Sequence, residues 1–308
     1  MKQKILGNLL KAGGICTALI ALVGNAAHAR EPGVPFSVPP GNTIGVPIGA
    51  NPPPGHYLNI YNGYHTLELK DSEGDDVGLE INVADTALHY IYVPGTKLLG
   101  GTYRAWVLQS FLNVGQESSI GAIPSGSEFN LGNTQIAPIG ISWEVAEGQF
   151  VSADLSFIAP TGKWVENDPV NTAGNFWTFA PSVGYSYLKD GWNAAAHLQY
   201  FTNTENKTNN YKSGDEIMLN LTALKSFGDF SFGPVGYYRK QISSDENNGT
   251  AFGGTIAGKA ELLGLGVGFS KRFGNTSVSL KLTHDVIAEN TPGGTGLRVD
   301  FSIPLGAE

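Results

Sequence analysis

Outside the first 29 residues the histidines are His56, His65, His89, His197 and His284. Zinc chemistry would need imidazoles paired at helical spacing, and none of these are so paired. No Gly-x-Ser-x-Gly elbow presents a serine nucleophile. Gly264-x-Gly266-x-Gly268 lies in strand-patterned sequence and opens no helix, so it lacks the geometry that cradles a phosphate. His197 with a serine or aspartate could in principle form a hydrolytic site in a barrel, but a histidine facing a lumen more often serves a pore or a hydrogen-bond network. The acidic runs Asp71-Ser72-Glu73-Gly74-Asp75-Asp76 and Asp245-Glu246-Asn247-Asn248-Gly249 offer oxygen ligands for Ca²⁺ or a bridge to anionic lipid. Neither has the full EF-hand spacing, and both read as solvated loops. No catalytic residue, metal ligand or cofactor is assigned.

What chemistry remains must be positioned by strands. Leu297, Val299, Phe301, Ile303 and Leu305 alternate with Arg298, Asp300 and Ser302; Val278, Leu280 and Leu282 alternate with Ser279, Lys281 and Thr283. Val151 to Phe157 and Trp192 to Tyr200 repeat the period of two that marks a strand with one apolar face. This pattern predicts twelve strands, at 56–69, 77–93, 98–114, 133–146, 149–159, 175–188, 191–202, 215–226, 230–242, 259–271, 276–288 and 295–305. Tight turns at Glu147-Gly148, Lys189-Asp190-Gly191, Gly228-Asp229 and Gly274-Asn275 alternate with long polar connections at 115–132, 160–174, 203–214 and 243–258. Short turns at one end and long loops at the other characterise outer-membrane barrels, and an even strand count returns both chain ends to one side.

Aromatic residues gather at the short turns: Tyr185, Tyr187 and Trp192, then Phe227, Phe230 and Phe232, then Phe269 and Phe273. They read as an interfacial girdle. A soluble β-sandwich is the structural competitor. Twelve long strands joined mainly by hairpins suit closure better, and the polar faces are rich in Gly, Ser, Thr and Ala rather than Lys and Glu. By parity, Arg104, Glu144, Asp154, His197, Gln199, Arg239, Gln241, Lys281, Asp285, Arg298 and Asp300 face away from the apolar belt and are the pore-lining candidates. Charges of both signs are tolerable in a wet lumen and costly in lipid. They would line a conduit or lock together as a plug, and their mixture predicts weak ion selectivity.

Composition agrees. Of 308 residues 41 are Gly and 17 are Pro, and only 15% are charged. With 19 basic against 27 acidic residues, the chain lacks the basic face of a nucleic-acid binder. Residues 1–29 read as an export signal: Lys2, Lys4 and Lys11, an apolar centre from Ile15 to Val23, then Ala27-His28-Ala29. Its removal takes away Cys16, the single cysteine. Eight of the 17 prolines fall in residues 30–54, which cannot form a central strand and read as an extended segment, either periplasmic or docked inside a barrel spanning 56–308.

Several stretches, in order, also resemble a known family. They are Pro52-Pro53-Pro54-Gly55-His56-Tyr57, Pro160-Thr161-Gly162, Asn175-Phe176-Trp177 with Pro181, Asn206-x-Thr208 with Tyr211 and Ser213-Gly214-Asp215-Glu216, and Gly236-Tyr237-Tyr238 with Gln241 and Asp245. The sequence is similar to the outer-membrane channel family associated with the meta-pathway of phenol degradation. It closes on Ile303-Pro304-Leu305, as family members often do, and not on the aromatic that barrel assembly machinery commonly reads. The resemblance implies an all-β, transmembrane, antiparallel up-and-down β-barrel of twelve strands. Its implied role is passive uptake of small molecules, aromatic or otherwise hydrophobic, across the bacterial outer membrane, without enzymatic activity. Partners on this reading are the lipid bilayer with its lipopolysaccharide, the assembly machinery and the solute, with the chain acting as a monomer. Alternatives are sideways release of solute through the barrel wall, a sealed structural or adhesive barrel, and a barrel hydrolase.

Overall fold

The computed structural model describes residues 30–306 except 32, 120–123, 250–253, 255 and 257. The expected export signal, residues 1–29, lies outside the described residues. Twelve long strands carry the fold: β1 Gly55–Lys70, β2 Asp76–Val93, β3 Gly101–Ser118, β4 Gly126–Ala146, β5 Gln149–Ala159 and β6 Thr178–Tyr187, then β7 Trp192–Asn203, β8 Glu216–Phe227, β9 Phe230–Gln241, β10 Glu261–Phe273, β11 Thr276–Glu289 and β12 Pro292–Pro304. Each pairs antiparallel with the next, and β12 returns to β1 from Tyr57↔Pro304 to Leu69↔Pro292, which closes the barrel. Closure leaves no unpaired edge, so every strand can meet its backbone hydrogen bonds within hydrocarbon.

Two strands exceed their expected bounds. The 115–132 connection shrinks because β3 runs on to Ser118 and β4 begins at Gly126, pairing Gly115↔Ser127 and Asn113↔Phe129. The Ser, Asn and Gly content of 126–133 reads as loop, yet its residues alternate across a paired ladder. At the other end of β3, Leu99 and Gly100 have φ of 49° and 82° and form a turn instead of strand. Long loop-end connections are confined to the later chain, 160–177, 204–215 and 242–260, whereas 71–75 and 290–291 are short.

The barrel is apolar outside and polar inside. Leu198, Leu221, Leu265, Val267, Leu280, Leu282 and Leu297 are exposed on the outer wall, while Asp154, His197, Gln199, Asn220, Arg239, Arg298 and Asp300 are buried. Tyr185, Trp192, Phe227, Phe230, Phe232, Phe269 and Phe273 are exposed near the short turns. Phe230 stacks with both Phe227 and Phe269, centroids 5.8 Å apart in each case.

Candidate functional site: the lumen and its threaded segment

Residues 30–54 lie inside the barrel, and their successive contacts show the direction of travel. At the loop end, the Glu31 carboxylate accepts from Asn209 Nδ2 (2.7 Å), Asn206 Nδ2 (2.8 Å) and Trp164 Nε1 (3.1 Å). Halfway down, Thr43 Oγ1 is hydrogen-bonded to His197 Nδ1 at 2.9 Å and accepts from Asn220 Nδ2. Near the short turns, Gly49 N donates to Ser186 Oγ, while Ser142 Oγ donates to Gly49 O. The segment then exits and turns into β1. A β-carbon on Gly49 would lie 2.6 Å from both Phe150 O and Ser186 N, so only glycine allows this close approach to the wall. The segment is a run of turns and not the extended chain its prolines suggest, with Ile44 N donating to Gly41 O, Val46 N to Thr43 O and Ala50 N to Pro47 O. Its proline nitrogens carry no N–H that needs a partner. Apolar side chains anchor it: Val38 packs with Ile158, Ala180, Phe201 and Met218, and Ile44 packs with Leu224 and Val235.

The segment carries only two charges, Arg30 and Glu31, and both sit at the loop-end start. Arg30 Nε lies 2.8 Å from Glu216 Oε1, and Glu216 also receives Arg239 through Nε at 3.0 Å. Arg239 Nη1 donates to Val38 O. Both guanidinium groups lie over the Phe36 ring, Arg30 at 4.6 Å and Arg239 at 4.0 Å from its centroid. Burial pushes the Glu31 carboxyl above its ordinary range, although hydrogen bonds from Asn209, Asn206 and Trp164 and the Arg30 charge oppose the shift. The loops beneath are tied by Asp245, which accepts from Tyr211 Oη, Gly214 N and Gln241 Nε2. Asp245 is therefore buried, contrary to its reading as part of a solvated loop. Burial raises its pKa as well. The Asp71 run does form a solvent-facing turn, with Asp71 Oδ1 accepting from Glu73 N and Asp75 N.

Most of the other lumen charges are engaged with each other. Arg104 grips Asp154 through Nε at 3.0 Å and Nη2 at 2.5 Å, and its Nη1 donates to Asn51 Oδ1. Trp106 Nε1 also donates to Asp154. Lys281 pairs with Asp300. Arg298 stands between Asp85 at 3.8 Å and Asp300 at 3.9 Å, and Asp85 faces His65 at 3.4 Å. Asp285 accepts from Tyr237 Oη and Gly294 N. Of the eleven candidates read from parity, Arg104, Asp154, His197, Gln199, Lys281, Asp285, Arg298 and Asp300 border the open lumen. Arg239 and Gln241 are buried and do not border it. Glu144 is exposed at the short-turn rim, where it accepts from Gly148 N. It has the right parity but sits too near the strand end to reach the lumen.

Sequence reading missed Glu31, Asn51, Asp85, Trp106 and Glu216 as lumen residues. Asp85 had a signal, being a lone acid between Val83 and Ala87 on the inward parity of β2. For Glu31 the signal was its isolation with Arg30 in an otherwise uncharged segment. Among the described residues, no group of three His, Cys, Asp or Glu is placed to hold a metal.

Beside the threaded segment, a cavity of about 1030 Å³ remains. Its lining reaches from Gln116, Asn171 and Thr291 at the loop end to Leu188, Asn275 and Pro304 at the turn end. The threaded segment forms one wall, β1, β2, β3 and β12 contribute much of the facing wall, and residues of other strands, such as Gln135 of β4, Asp154 of β5, His197 of β7 and Ser279 of β11, complete the lining.

A family model described as "Putative MetA-pathway of phenol degradation" matches residues 67–301. No curated protein matches the chain. Among solved structures, the chain is similar to an outer membrane channel from Pseudomonas putida F1, with 17% identity and a TM-score of 0.73 over 86% of this chain and 98% of that one. It is similar at greater distance to the transport unit of the autotransporter AIDA-I from Escherichia coli (11% identity, TM-score 0.48, 82% and 90% covered). A likeness of 10% identity and TM-score 0.44 links it to the CymD monoaromatic hydrocarbon channel, over 82% of this chain and 89% of that one. The first of these likenesses shows a shared barrel fold.

Proposed function

Because this chain belongs to the family of the phenol-degradation MetA-pathway, we propose that it is a bacterial outer-membrane channel for passive uptake of small uncharged molecules, aromatic or otherwise hydrophobic. The observation that carries the reading is the cavity of about 1030 Å³, lined by residues from both ends of the barrel. A sealed structural barrel needs no such space. Arg104 with Asp154 and Lys281 and Arg298 with Asp300 are paired in the lumen, so a neutral solute displaces no ion pair while a free ion finds no ring of one sign. Axial passage follows the cavity, with the threaded segment narrowing it. The catalytic alternative is disfavoured because His197 is held by Thr43 and Asp154 by Arg104 and Trp106.

On this reading residues 1–29 direct export, the barrel inserts through the assembly machinery as a monomer, and the loop end meets lipopolysaccharide. The experiment is solute uptake by cells with and without the protein. Toluene and phenol uptake should fall when it is missing, with benzoate less affected. Equal uptake of all three would contradict the proposal.

A further inference from the structure

The outer faces of β1, β2 and β3 change character along their length. Near the turn end, Leu88, Tyr90 and Tyr92 are exposed and apolar or aromatic. Ala84 pairs with the exposed Tyr64, and two residues further on Thr66 pairs with Asn82, which also faces Gly115. Next comes Glu68↔Glu80↔Glu117, three carboxylates side by side on the outer wall. Such a row cannot lie against hydrocarbon. From Ala84 to Tyr92 is a span of nine residues, which by itself suffices to cross the bilayer as a tilted strand. The loop-end portions of these strands, 16 to 18 residues long, therefore stand above the membrane.

On the inner wall at that height the polarity is reversed. Leu67 pairs with Ile81, Val83 pairs with Val114, and Leu112 lies beside Asp85. Leu67, Ile81, Val83, Leu112 and Val114 all line the cavity. Thus a face that meets no lipid is apolar, and it is turned toward an open space instead of a packed core. Apolar area held against water costs about 25 cal/mol per Å², and an apolar solute recovers that on binding. At the lower edge of this face, where His65 pairs with Val83 and Asp85 with Leu112, begins a collar of polar and charged groups formed by His65, Asp85, Arg298, Asp300 and Lys281.

Resting on the channel reading above, we propose that this inward apolar face is a binding station, where an uncharged aromatic or aliphatic solute is captured above the bilayer before it passes the collar. A lumen of this volume admits small molecules up to drug size and excludes any macromolecule. The outward acids keep the protruding wall in water, and the inward side chains concentrate what is poorly soluble there.

The test uses p-iodotoluene soaked into crystals of the full chain, with the iodine located by its anomalous scattering. A peak against Leu67, Ile81 and Val83 is expected. A peak elsewhere in the lumen, or on the detergent-covered wall alone, overturns the proposal. In solution, Ile81→Asn and Val83→Asn should each weaken p-iodotoluene binding about tenfold, whereas Glu80→Gln, which faces outward, should not; equal affinities for all would contradict it. Asn82→Cys should react with an impermeant maleimide on intact cells and Leu88→Cys should not. Uptake with no probe at this face sinks the station alone. Probe bound here without any uptake sinks the channel reading and leaves the station standing.

Discussion

The Glu216 carboxylate is the residue on which the threaded segment most depends. It receives both Arg30 from the segment and Arg239 from the wall, with all three buried. Removing one partner from a buried ionic group leaves charge uncompensated and costs about 3–5 kcal/mol. In Glu216→Gln that cost falls on docking, because the barrel ladder does not need the pair. Single-channel conductance should rise and the start of the segment should become protease-sensitive; unchanged conductance would show that the segment is held elsewhere. Glu31 adds a pH dependence. Its carboxyl is raised from the ordinary 4.5 when docked, chiefly by burial. The docked state therefore binds the proton more tightly, so this contribution is full below pH 4.5 and is lost as pH rises through the raised value. Acidifying from neutral toward pH 4.5 should tighten the segment and lower conductance. Glu31→Gln should flatten that response, and a profile identical to the parent would assign the effect to another group.

Among the elements, β11 offers the cleanest contrast of faces. Leu280 is exposed on the outer wall and Ser279 borders the cavity. Leu280→Arg places a guanidinium in lipid at about 2–4 kcal/mol near the midplane and should impair assembly. Ser279→Arg should assemble and reduce solute passage. Equal yields of heat-modifiable barrel would mean the faces are exchanged. The strands were legible because a wall with lipid on one side and water on the other enforces a period of two, as at Leu297 to Leu305. Where the lower contrast of 126–133 blurred that period, the start of β4 was not legible. Pairings were hidden for another reason. Parity places Lys281 and Asp300 inside, but only the register of β11 on β12 brings them together. In residues 30–54 the alternation is limited to Val34-Phe36-Val38 and Ile44-Val46-Ile48 and is broken by proline and glycine, so the sequence left docking as one of two alternatives and gave no direction of travel.

At the scale of the whole molecule, one cylinder holds a strap along one wall and leaves a lane along the other. The strap buries Val38 and Ile44 and occupies lumen that would otherwise be water. Deleting residues 30–54 should leave a folded barrel, since β1 and β12 pair without them, and should raise conductance and admit larger solutes such as sucrose in liposome swelling. Unaltered permeability after the deletion would mean that the loops set the bore. Membership in a family associated with phenol breakdown indicates which solutes to try, and the lane itself shows why neutral ones should pass. The most direct measurement is phenol influx into vesicles whose outer leaflet is lipopolysaccharide, with the full chain reconstituted at increasing density. Influx should climb in proportion to protein and fall when Ser279→Arg narrows the lane; influx equal to that of protein-free vesicles at every density would contradict passage through the barrel.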